Sequence, residues 1–304
     1  MGKVYGIIVV IAVLVLIVGI VAIILLNSNP MVASQTPNST ITPTPNQTPI
    51  ASTPATSSTA PPSSTVTPNN AVTAYSYQIV NSYPHDSSAF TEGLLVEDDD
   101  TLLESTGLTG ASSLRRVSLT NGQIIQQYDL SSAYFGEGLT VVGDKVLQLT
   151  WKNGVGFIYD KETFDVLGNF SLNTEGWGLT YDGNRLIMSD GTEYLYFLDA
   201  NTYQTIGSIK VTDDTGPVVN LNELEYVNGS VYANIWLSSK IAVINPSSGQ
   251  VEAYIDLTEL AQPYTAKDPN AVLNGIAYNP QTSQLFVTGK FWSSLYEIQL
   301  QKTQ

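Results

Sequence analysis

Two glutamates stand in the same unusual setting. Phe90 to Leu94 reads FTEGL and Phe135 to Thr140 reads FGEGLT, so Glu92 and Glu137 each follow a phenylalanine closely and precede a glycine and an apolar run. A carboxyl group beside aromatic rings has its charged form disfavoured, and a second carboxyl close by raises one of the two pKa values further. A carboxyl so tuned can accept a proton near neutral pH and return it, which is general base and then general acid work. For that chemistry the two glutamates must meet, although they lie far apart in the chain.

The elements that could bring them together repeat. From residue 75 onward, short β-branched and aromatic runs alternate with Asp-Gly, Asn-Gly, Ser-Gly and Asn-Pro turns, an all-β pattern. Five units align by eye, opening with TEGLLV, GEGLTVV, GWGLTYDG, NELEYVNG and NGIAYNP. A second and third strand follow in every unit, and a fourth in all but the last. Tyr77 to Tyr83 is a spare strand that could complete the last unit. Four strands every 40–50 residues or so is a propeller period. The expected fold is therefore all-β, a five-bladed β-propeller over residues 75–304, with a β-sandwich or barrel as the alternative.

In such a ring the first strand of each unit lines the central channel. One position of that strand holds Glu92, Glu137, Trp177, Asn222 and Asn274. A second, just past the second strand, holds Gly107, Trp151, Gly191, Trp236 and Lys290. Acids, indoles, amides and one lysine would converge at one mouth, with Glu223 and Glu225 beside them. Few aliphatic residues are among them, so the set reads as a pocket.

The rest of the composition excludes more than it identifies. There is no cysteine, one histidine and a net charge of −15. Disulfides and thiolate metal sites are ruled out, no zinc site or other cofactor is expected, and nucleic acid is an unsuitable partner for so acidic a chain. Residues 4–26 are an almost unbroken apolar run, long enough to cross a bilayer as a helix. Segment 1–26 is therefore expected to be an uncleaved single-pass anchor in the cell membrane. Segment 27–74, rich in Ser, Thr, Pro and Asn, is expected to be a disordered stalk that holds domain 75–304 outside the cell.

The ordered motifs PHDSSAFTEGL (84–94), ESTGLTGASSLRRV (104–117), FGEGLT, QLTW (148–151), GWGLTYDG (176–183), LNELEYVNGSVYANIW (221–236), LNGIAYNP (273–280) and LFVTGKFW (285–292) resemble the glutamine cyclotransferases of plant and bacterial type. The resemblance implies a five-bladed propeller enzyme that converts the N-terminal glutamine of peptides to pyroglutamate with release of ammonia, without metal. It places the catalytic carboxyl at Glu137. It makes Phe90, Glu92, Phe135, Trp151, Trp177, Asn222, Glu223, Trp236 and Lys290 the candidates for holding substrate. A non-catalytic extracellular propeller that binds peptides or glycans is the competing expectation, because fold alone does not set function. His85 is read as structural or exposed, Arg116 as a surface contact or a contact between units, and Glu97 to Asp100 as a turn.

Overall fold

The computed structural model describes residues 72–302. Among these residues the long elements are all strands, and Thr258–Thr265 forms one short helix. The expected membrane-spanning segment lies outside the described residues. Among those residues no helix is long and apolar enough to cross a membrane. The first strand, Thr73–Pro84, begins inside the segment read as stalk.

Burial follows position within each repeat. Second strands such as Lys145–Thr150 and Thr101–Thr106 are buried on both faces, with buried polar side chains such as Glu104 and Gln148 among their leucines and valine. Fourth strands such as Ile124–Asp129 and Thr205–Lys210 are mostly exposed. The core lies between neighbouring sheets. Leu147 and Leu149 of one sheet, for example, pack with Leu179, Leu186 and Met188 of the next.

The expectation of a five-bladed propeller is corrected by the hydrogen bonding, which defines four sheets, not five. Three have four strands each, formed by the first, second and third repeats. The fourth has eight strands and fuses the last two repeats. Strand Thr73–Pro84 is the join. Its start pairs in parallel with Ala253–Ile255, and the rest pairs antiparallel with Ser294–Lys302. The sequence shows that strand but not that both of its edges are used. Leu221–Val227 and Leu273–Asn279, the two ends of this sheet, return into contact, so the sheet nearly closes on itself.

The five first strands, Thr91–Val96, Gly136–Val142, Leu179–Tyr181, Leu221–Val227 and Leu273–Asn279, touch one another in cyclic order. This contact positions the site.

Candidate active site

Four of these first strands break register with their partners at the position that carries chemistry: between Thr91 and Gly93, Gly136 and Leu139, Leu221 and Leu224, and Leu273 and Ile276. An irregularity of this kind bends the strand and re-aims a side chain. It turns Glu92, Glu137, Asn222 and Asn274 away from the sheet pattern. The glycines that follow permit the close approach. A Cβ on Gly138 would lie 2.5 Å from the Trp177 carbonyl oxygen, and one on Gly178 would lie 2.1 Å from that of Asn222. No side chain fits there.

The result is a cavity of about 260 Å³. Glu92, Glu137, Asn222 and Lys290 line its buried floor. Phe90, Phe135, Trp151 and Trp177 make its half-buried walls, and Trp236 stands at its exposed edge. Phe135 packs on Phe90 edge-on and on Trp151, with ring centroids 6.0 and 5.6 Å apart, and Trp177 meets Trp236 edge-on at 5.6 Å. Every residue expected from the sequence to hold substrate is here except Glu223.

Glu223 occupies the place that is glycine in the other four repeats (Gly93, Gly138, Gly178 and Gly275). Its buried carboxyl accepts hydrogen bonds from the Ile276 and Leu94 backbone amides at 2.9 and 3.4 Å. It therefore ties together the strands that carry Asn274 and Glu92, and it does not line the cavity. Glu225, one turn of the pleat further on, accepts from the Tyr278 amide at 2.9 Å. Burial pushes its pKa up to about 8, and that of Glu223 well above the usual carboxylate range.

On the floor, Lys290 Nζ lies 2.7 Å from Glu92 Oε1 and 4.3 Å above the Phe90 ring. Asn274 Nδ2 donates to Glu92 Oε2 at 3.1 Å and to the Thr91 carbonyl at 2.9 Å. Glu137 lines the same buried floor as Glu92, close enough for each carboxyl to shift the other's pKa. Burial raises the Glu92 pKa, with Lys290 and Asn274 opposing it. Burial and then the charge of Glu92 push Glu137 well above the ordinary value, and Lys290 only partly offsets this. Glu137 is thus the more strongly raised of the two, while Glu92 faces the Lys290 ammonium.

Sequence reasoning missed Glu175. Its Oε2 accepts hydrogen bonds from both indoles, Trp151 Nε1 at 2.8 Å and Trp177 Nε1 at 3.0 Å. One carboxylate therefore sets the angle of two walls. It also missed Leu237, Pro269, Asn270 and Val272, which line the cavity from irregular segments. The fourth tryptophan, Trp292, is core: it is fully buried and stacked on Tyr264 at 4.3 Å.

His85 is structural. Its Nε2 faces Glu104 Oε1 at 2.9 Å and its Nδ1 faces the Trp292 carbonyl oxygen at 2.7 Å. Thr91 also donates to Glu104, at 2.9 Å. The network links the strand of Glu92 to the loop that follows Lys290. Arg116 pairs with Glu97 and donates to the Lys161 carbonyl at 2.8 Å, a contact between the first and second repeats. Among the described residues no group of three or more His, Asp or Glu side chains is placed to hold a metal ion.

The repeats of an all-β fold thus enclose an acid pair in an aromatic cavity. The sequence profile of the glutamine cyclotransferases matches residues 50–300. The chain is 41% identical over 228 residues to a glutaminyl-peptide cyclotransferase of Arabidopsis thaliana, covering 74% of this chain and 71% of that one. The crystal structure of Myxococcus xanthus glutaminyl cyclase superposes with a TM-score of 0.72 at 35% identity, covering 77% of this chain and all of the other. The chain belongs to the glutamine cyclotransferase family.

Proposed function

We propose that this cavity cyclises the N-terminal glutamine of peptides to pyroglutamate, with Glu137 as the proton carrier. The observation that carries this is the buried Glu92–Glu137 pair beside Lys290, at the floor of a cavity walled by aromatic rings. In the reaction the α-amine nitrogen bonds to the side-chain amide carbon, and that carbon loses its amide nitrogen as ammonia. One proton must leave the first nitrogen and one must reach the second. Ionised Glu137 takes the first as base and delivers it as acid, so a single group serves both steps.

Glu92, paired with Lys290, holds the amine. The remaining Lys290 donors stabilise the negative charge that develops on the amide oxygen. Asn222 Oδ1 is buried with no hydrogen-bond partner among the described residues, and a substrate N–H would satisfy it. The aromatic walls fold the glutamine side chain back on its own amine, which supplies proximity. A Gln-peptide incubated with the protein is expected to yield the pyroglutamyl peptide and ammonia in equal amounts. Tight binding of the peptide with no ammonia released would instead make the cavity a binding site only.

A further inference from the structure

The chemistry just described fixes how a peptide must leave the cavity. The amine and the side-chain amide of the glutamine both reach the floor. The third arm of its Cα, which continues the peptide, must run toward the mouth, and the next Cα follows at about 3.8 Å. The second residue therefore rests on the rim.

That rim is unequal. On the side of Trp151 and Trp177 the rings are bound to charged groups: both indoles donate to Glu175, and Lys152 Nζ lies 3.9 Å over Trp151. Trp236, which meets Trp177 edge-on, is 37% exposed, and Leu237 after it is 67% exposed. Exposed Pro269 and Asn270 complete this edge. Leu237 is also held at φ +62°, a left-handed conformation that a leucine adopts rarely. The same left-handed turn recurs at Leu108 and Phe291, the matching places of the first and last repeats; what is particular to Leu237 is an aliphatic side chain presented to solvent at the opening of the cavity.

We propose that Leu237, with Trp236 and Pro269, forms the subsite for the side chain of the second residue of the peptide, and that this subsite favours apolar side chains. The inference rests on the cyclisation reading and adds a substrate preference to it. Burying an aliphatic side chain against Leu237 removes apolar surface from water on both partners.

The test compares kcat/KM for Gln-Leu-amide and Gln-Gly-amide, in the wild type and in Leu237→Asn. Asparagine tolerates the left-handed backbone while removing the apolar surface. The wild type is expected to favour the leucine peptide about tenfold, and the variant to lose most of that ratio. Pro269→Ser, on the other part of the edge, is expected to lower the ratio less. A wild-type ratio near one overturns the proposal. So does a ratio that both variants keep, even when both rates fall together. Glutamine amide, which has no second residue, separates the two readings: if the wild type fails to cyclise it and the two peptides alike, the cyclisation reading itself has failed.

Discussion

Lys290 and Glu92 form a buried ion pair across the seam between the first and last repeats, 2.7 Å apart with side chains 6% and 2% exposed. Such a pair is weakly stabilising against an apolar alternative, but removing one partner strands the other charge. Lys290→Met is therefore expected to cost about 3–5 kcal/mol of stability. Glu92→Gln with Lys290→Met is expected to recover a large part of that loss. Denaturant midpoints of the wild type, both single variants and the double variant measure the coupling. Additive losses would show that the pair does not interact.

The pH dependence of turnover has a definite sign. The base form of Glu137 exists above its raised pKa, so kcat/KM falls on the acid side as Glu137 takes up its proton. The negative charge of Glu92 is one cause of the rise, after burial. Glu92→Gln removes it, and the acid limb should move to lower pH in whatever activity remains. A limb that stays in place would assign the titration to another group.

Glu175 tests whether the walls need their anchor. Glu175→Ala frees both indoles and is expected to raise KM about tenfold, with a change in tryptophan emission. Glu175→Gln keeps an oxygen that can accept both hydrogen bonds and should stay within about threefold of the wild type. If Gln is as damaging as Ala, the charge matters more than the hydrogen bonds.

His85 makes a prediction about stability. Burial alone would lower its pKa, but Glu104 and the Trp292 carbonyl outweigh burial and raise it. The same contact helps hold Glu104 below its ordinary value against burial. The contribution of His85 is fully present below its unfolded pKa of about 6.5 and is lost as pH rises through the folded value. That of Glu104 is present above about 4.3 and is lost as pH falls through the lowered folded value. The stability gap between wild type and His85→Gln should be widest between about pH 5 and 6.5 and should narrow as pH rises through the raised folded value of His85. A gap independent of pH would mean that the imidazole is neutral in the fold.

The floor and walls were legible because the repeat states the same position five times, and cyclic packing then brings Glu92, Glu137, Trp177, Asn222 and Asn274 together. Trp151, Trp236 and Lys290 followed from a second such position. Glu223 was misplaced although the alignment sets it where the other repeats have glycine. Its meaning depends on the space those glycines leave, which only packing shows. Glu175 stands two places before Trp177, where Phe90 and Phe135 precede their glutamates, so its place repeats but its residue type does not; Leu237 follows Trp236 in a turn, and Pro269 sits in an irregular segment. The eight-stranded sheet was illegible for another reason. Edge pairing of Thr73–Pro84 with Val251–Asp256 uses backbone groups, and these leave no trace in side-chain pattern.

The most direct measurement is the turnover of Glu137→Gln on a Gln-peptide, with its folding checked by thermal unfolding. Glutamine keeps the size and one acceptor of the side chain but cannot carry the proton. A loss of about 10²–10⁴-fold in kcat with the fold retained is the expected result. Turnover within a few-fold of the wild type would contradict the account, because the proton would then travel by some other group.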